Sequence, residues 1–250
     1  MTLHTLVLLR HGESAWNAED RFAGWVDVPL TAAGRSQAVR AGELMLEAGV
    51  PPDVLHTSVL TRAVTTGDLA AQACGRASVP VRRTWRLNER HYGALQGRAK
   101  RDVLSRYGEE LFWRWRRSDD APPPAMDDED PWSQAGDPRY AMLPPQLMPR
   151  SESLRDVRVR LLPYWSCAVV PELRAGRTVC VVAHGNSLRM LVRHLDRLSE
   201  EATAAIEIPT GSPLVYQLDD EMRPLEAGGG YLGAVDLQTA FGRNRSPGAN

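Results

Sequence analysis

The chain has 250 residues, 30 Lys and Arg against 31 Asp and Glu, a formal charge of −1, and 43% hydrophobic against 24% charged residues. This is the composition of a globular protein with chain enough for a sizeable core, and the near-neutral balance excludes a general nucleic-acid binder, which carries a basic excess. Three scattered cysteines (Cys74, Cys167, Cys180) exclude a disulfide framework and point to a reducing cytoplasm, while apolar runs of only strand length exclude a membrane span. Arg10 and His11 interrupt the first apolar run, so no secretory leader is expected.

In chain order, Thr5–Leu9 is a continuous apolar run, expected of a strand buried on both faces. Residues 31–47 read as a helix capped by Thr31 and stopped by Gly49 and Pro51-Pro52. A short strand follows at 54–57, a helix at 60–73, and an edge strand near 79–82, placed at the edge because of Pro80. Residues 102–115 read as one helix. From Ser118 to Arg150 eight prolines and the acidic run Asp127–Asp130 predict a long irregular insertion. Regular structure resumes with a helix at 153–165, capped by Ser151 or Ser153, then a buried strand at 177–183, a helix at 188–198 and a last strand at 214–218. The alternation predicts an α/β fold: a mostly parallel central sheet flanked by helices on both faces, in one domain over 1–227, with a flexible tail over 228–250. In such sheets ligands bind beyond the C-terminal strand ends.

Two histidines fall at such ends. His11 stands in Leu9-Arg-His-Gly-Glu13, where Arg10 suits a phosphate and Gly12 permits close backbone approach. A neutral imidazole is a competent nucleophile toward phosphorus, although an isolated Arg-His-Gly recurs by chance and can serve only a turn carbonyl. Val181–Ser187 repeats the layout, with His184 opening a helix whose N-terminus favours anions; alone, it is equally a helix cap. Arg62, one turn into a helix, lies toward the same sheet end, and Glu89 offers a carboxylate able to move the proton of a hydroxyl acceptor. One compositional oddity is that Lys100 is the only lysine among the 30 basic residues, either from arginine bias or because a compact ammonium is required there.

Together these motifs resemble the cofactor-dependent phosphoglycerate mutases of the histidine phosphatase superfamily. The matching runs are LVLLRHGESAWN (6–17), RFAGW (21–25), TSVLTRA (57–63), LNERHYGALQG (87–97), WRR (115–117), DPRY (137–140), ESL (152–154), PYW (163–165), AHGNSLR (183–189) and IPTG (208–211). Arg-His-Gly-Glu in the first run marks only the superfamily; the 87–97 and 115–117 runs are far more specific to the mutase branch. The resemblance implies that His11 is transiently phosphorylated, Glu89 donates and accepts the proton, His184 stabilises the transition state, and Arg10 and Arg62 clamp the phosphoryl group. It also implies substrate contacts at Ser14, Asn17, Ala23, Gly24, Tyr92, Lys100, Arg116, Arg117, Gly185 and Asn186, with Lys100, Arg116 and Arg117 taking the second anionic end. The implied reaction is the glycolytic and gluconeogenic exchange of 2- and 3-phosphoglycerate. It is primed by 2,3-bisphosphoglycerate and needs no metal, in a cytoplasmic homodimer or homotetramer without nucleic-acid or membrane partners. Two departures stand out. Ala23 replaces the usual threonine and loses a hydroxyl contact, and Ala234 replaces a common polar residue in a tail that helps close the site. A phosphomonoesterase of the same superfamily and a catalytically silent sensor of phosphorylated metabolites remain as alternatives.

Overall fold

The computed structural model describes residues 2–233. The elements are, in order, β1 (His4–Arg10), α1 (Ala15–Ala18), α2 (Ala32–Glu47), β2 (Val54–Thr57), α3 (Thr61–Ala73), β3 (Val81–Arg83), α4 (Lys100–Arg117), α5 (Leu154–Tyr164), α6 (Val170–Arg174), β4 (Val179–Ala183), α7 (Gly185–Asp196), α8 (Glu200–Ala205), β5 (Pro213–Leu218) and β6 (Gly230–Tyr231). The strands form one sheet in the order β3-β2-β4-β1-β5-β6. β1 to β4 run parallel, and β5 and β6 are antiparallel additions at one edge.

The period of two along the central strands builds the three-layer architecture. In β1, Leu6 and Leu8 face a cluster that includes Leu161, Trp165, Leu188 and Leu191. Val7 and Leu9 face the other way, onto Ala41, Met45, Ala63 and Ala70 of α2 and α3. β4 divides its residues in the same manner, with Val179 and Val181 on the first face and Cys180 and Val182 on the second. Both strands are buried along their apolar lengths, which is why they read as continuous apolar runs. The caps follow the sequence too: Thr31 accepts from Gly34 N, and Ser153 forms a capping box with Asp156.

Several expectations need correction. The helix read over 102–115 is two helices merged across Gly108, whose φ of 79° breaks the helical path. The 214–218 strand is not the last, because Gly230–Tyr231 pairs with it, and the part of the expected tail from 234 onward, Ala234 included, lies outside the described residues. α5 runs on through a π turn (Trp165–Val169) into α6 despite Pro163 and Pro171. The 118–150 segment is irregular, with single 3-10 turns at Pro138–Tyr140 and Pro145–Leu147. It is anchored to the body: Trp132 meets Trp16 edge-on at 4.9 Å, and the Ala94 N–H donates to the Pro124 carbonyl at 2.8 Å. Among the described residues no helix is long and apolar enough to cross a membrane.

Candidate active site

Strand register brings the two histidines together. Arg10, the last residue of β1, pairs with Ala183, the last of β4, so His11 and His184 leave neighbouring parallel strands at the same level. The His11 N–H donates to the Ala183 carbonyl at 3.0 Å, and the ring centroids lie 4.9 Å apart, tilted by 59°, close to the spacing of adjacent strands. β2 ends one strand further over, with Thr57 opposite Val182. The next residue, Ser58, therefore reaches His184, and its hydroxyl lies 2.8 Å from Nε2.

Each ring is oriented by its surroundings. His11 Nδ1 lies 2.7 Å from the Gly12 carbonyl, so it carries the proton and leaves the Nε2 lone pair outward. Gly12 is required there: a Cβ would overlap the Gly34 carbonyl, and the Gly12 N–H donates to Thr66 Oγ1 at 3.0 Å. Burial first, then the charges of Arg62 and Arg10, holds the His11 pKa well below the ordinary imidazole value; burial, Arg62 and His11 do the same to His184. Both rings are neutral near pH 7.

The arginines keep donors in reserve. Arg10 spends Nη1 on the Ile208 carbonyl at 2.7 Å, and Arg62 spends its two terminal nitrogens on the Val26 and Gly24 carbonyls at 2.8 and 2.7 Å. The Nε of each is buried without a partner, as are His184 Nδ1, Arg117 Nη1 and all three guanidinium nitrogens of Arg90. Burial pushes the Arg62 pKa down to about 10 against the pull of Glu89 and Asp27, leaving it charged at neutrality. The unpaired nitrogens of Arg10, Arg62 and Arg117 belong to residues lining one hollow, and unpaired buried donors are costly unless an anion completes them.

Glu89 is held by its Oε1, which accepts from Arg90 N at 2.7 Å and Asn186 N at 3.2 Å. Its Oε2 and the Arg10 guanidinium converge over Gly185, where an added Cβ would lie 3.7 Å and 3.6 Å from them. Asn186 Nδ2 donates to the Tyr92 hydroxyl at 2.9 Å. Burial and the Glu89 charge would raise the Tyr92 phenol, but Arg90, 4.6 Å from the ring centroid, and Arg116 together lower its pKa overall.

One cavity is lined by Arg10, His11, Arg62 and Glu89 together with Lys100, Arg116 and Arg117. Asn17, Ala23, Gly24, Tyr92, Gly185 and Asn186 also line it. His184 is fully buried against the His11 ring. Ser14 does not line the cavity: it is buried and caps α1, and its N–H and hydroxyl both donate to Asn17 Oδ1 at 3.1 and 2.9 Å. Its part is to orient Asn17. Lys100 and Arg117 pair with Asp20 and Glu207. Residues absent from the sequence-based set also line the cavity: Arg21, Phe22, Arg189 and Glu207. Arg21, Phe22 and Arg189 lie inside runs singled out above, as does Arg90, and only proximity to the named residues marked them. A second cavity of about 390 Å³ lies in the irregular segment between His91 and Met148, and neither His11 nor His184 lines it.

A profile of the histidine phosphatase superfamily (branch 1) matches residues 6–227. This chain belongs to that superfamily. It is 60% identical over 229 residues to a protein of Nocardioides sp., covering 92% of each chain, and 56% identical over 230 residues to one of Thermobifida fusca, covering 92% of this chain and 93% of the other. Both relatives are named 2,3-bisphosphoglycerate-dependent phosphoglycerate mutase. Among solved structures of the superfamily, a mycobacterial glucosyl-3-phosphoglycerate phosphatase complexed with VO3 is similar at a TM-score of 0.64 and 28% identity, over 88% of this chain and 95% of that one.

The buried neutral histidines carry a stability prediction. Burial holds His56 and His91 down to about 4, and their side chains are 0% and 2% exposed. Unfolded histidine binds its proton near pH 6.5, so the unfolded state gains more protons as pH falls below that value. Their contribution is therefore complete above pH 6.5 and lost toward pH 4, by about 2 kcal/mol for each of the two at pH 5. Urea unfolding at pH 7.5 and pH 5 should show the drop; equal stabilities would contradict the buried neutral state.

Proposed function

We propose that this chain interconverts 3-phosphoglycerate and 2-phosphoglycerate, with His11 as phosphoryl carrier and 2,3-bisphosphoglycerate as primer. The observation that carries this is that one cavity brings His11, Arg10 and Arg62 together with Lys100, Arg116 and Arg117. A ligand with phosphate at one end and carboxylate at the other needs cations at both. The buried nitrogens without partners on Arg10, Arg62 and Arg117, all of which line the cavity, fit the charge of such a ligand. The names of the relatives at 56–60% identity support the same activity. When bound, 2,3-bisphosphoglycerate supplies the phosphoryl group that primes the histidine.

The residues divide the work as follows. His11 Nε2, freed by the Nδ1 bond to Gly12, is the attacking atom, and its depressed pKa keeps the lone pair available. The N–P bond forms as the bond to the substrate oxygen breaks. Arg10, Arg62 and His184 offer donors to the equatorial oxygens, where charge spreads in the transition state. Glu89, fixed through Oε1, uses Oε2 to give a proton to the departing alkoxide and to take one from the accepting hydroxyl. At the far end Lys100, Arg116 and Arg117 take the carboxylate, while Asn17, the backbone at Ala23 and Gly24, Tyr92, Gly185 and Asn186 shape the middle. The positive charge comes from arginine and lysine, so this reading needs no metal. It places the chain in the cytoplasm, in glycolysis and gluconeogenesis, as a homodimer or homotetramer.

Hydrolysis is the competing reading, favoured by the phosphatase among the similar structures. Isomerisation of 3-phosphoglycerate and release of inorganic phosphate should be measured side by side, with and without catalytic 2,3-bisphosphoglycerate and in excess chelator. The mutase isomerises faster than it releases phosphate, responds to the bisphosphate and ignores the chelator. Phosphate release that exceeds isomerisation, unaffected by the bisphosphate, would make it a phosphatase.

A further inference from the structure

The far end of the cavity holds a carboxylate that the proposed reaction does not use. Residues 206–208 leave α8 in an extended path, with Ile206 and Ile208 buried and Glu207 exposed between them. Two arginines of the site fix that register. Arg189 donates from Nε and Nη2 to the Ile206 carbonyl at 3.1 and 3.0 Å, and Arg10 donates from Nη1 to the Ile208 carbonyl at 2.7 Å. The alternation of an extended chain then sends the Glu207 side chain toward the cavity, where it accepts a hydrogen bond from Arg117 Nη2. The other terminal nitrogen of Arg117 is buried with no partner. Burial would raise the Glu207 carboxyl, but the Arg117 hydrogen bond and the charges of Arg117, Arg189 and Arg10 lower it overall, so it is ionised at neutral pH.

An acidic side chain in a hollow built for anions is at odds with ligand binding unless it has a task there. We propose that Glu207 is a resident counter-anion: it occupies Arg117 in the free site, and the second anionic group of a ligand must displace it. This deepens the proposed function, on which it rests, by assigning a residue that sets selectivity among anions. A ligand with one anionic end settles between His11, Arg10 and Arg62 and leaves the Arg117–Glu207 pair intact. A ligand with two must break it, and Glu207 repels its carboxylate until the pair is broken. The Glu207 side chain is 62% exposed, so the pair is weak enough to yield. The charge discourages loose occupation of the far end by stray carboxylates without blocking a ligand anchored at both ends.

The test compares two non-reacting probes by calorimetric titration: inorganic phosphate, with one anionic centre, and 2-phosphoglycolate, with a phosphate and a carboxylate. In Glu207→Gln, 2-phosphoglycolate should bind about fivefold tighter, the size of one partly screened charge pair, while phosphate changes by less than about twofold. Glu207→Ala should reproduce the same selective tightening of 2-phosphoglycolate over phosphate, which guards against a local effect of the new amide. Equal tightening of both probes would reduce Glu207 to bulk charge. Unchanged or weaker 2-phosphoglycolate binding would instead make it a support for Arg117. Each of these outcomes overturns the proposal. Because the readout is equilibrium binding, a lack of isomerase activity would count against the mutase reading and leave this result standing on its own.

Discussion

His11→Ala eliminates turnover, lowering kcat by roughly four orders of magnitude or more, and leaves no acid-labile phosphoenzyme after incubation with radiolabelled 2,3-bisphosphoglycerate. The expected loss is that large because no neighbour can take over. His184 is the nearest imidazole, but its Nε2 is engaged with Ser58 and so lacks the free attacking lone pair that His11 has. Removing a buried imidazole that never carries charge in the free protein should leave the fold intact, and unfolding at pH 7.5 checks this. Trapped phosphate on the variant would move the carrier role to another residue.

What could be read from the chain follows from which interactions are local. The central strands were legible because β1 and β4 are buried on both faces and so appear as unbroken apolar runs. Helix α2 announced its start through Thr31 and α5 through Ser151 or Ser153, of which Ser153 is the cap; both caps involve residues only three positions away. β6 gave no such signal: two residues, one of them glycine, become a strand only because β5 offers an unpaired edge. Gly108 sits in an otherwise helical pattern, and its left-handed φ cannot be told from a tolerated helical glycine by spacing.

The site shows the same division. His11 and His184 mark themselves as strand ends, and the register of β1 on β4 then fixes their meeting. Arg90 and Arg160 look like any other arginine in this arginine-rich chain, because their burial depends on segments far apart in sequence. Glu207 and Asp20, which partner the far-end cations, are likewise invisible until the fold closes. Local chemistry names the reacting groups, and tertiary packing names those that hold them.

Arg160 illustrates the second class and carries the other large expected effect. It is 5% exposed and forms a two-pronged pair with Glu152, Nε to Oε1 at 2.6 Å and Nη2 to Oε2 at 3.0 Å. The same guanidinium donates to the carbonyls of Arg86, Asn88 and Glu89 at 2.7, 3.0 and 2.9 Å. Glu152 in turn accepts from the His91 N–H at 2.8 Å, and Trp25 Nε1 donates to the Glu89 carbonyl at 2.6 Å. The backbone that presents Glu89 and Tyr92 is therefore pinned from below by one cation. Arg160→Met strands the buried Glu152 carboxylate and should cost about 3–5 kcal/mol of stability in urea unfolding. It should also lower kcat by about a hundredfold, since a shift near 1 Å in a proton-transfer group is enough for that. The double variant Arg160→Met with Glu152→Leu separates the two effects. Removing both charges restores much of the stability, but the three carbonyls still lack their donor, so kcat stays low. If kcat recovers together with stability, Arg160 matters only through its ion pair, and the positioning of Glu89 rests on Trp25 and the surrounding core instead.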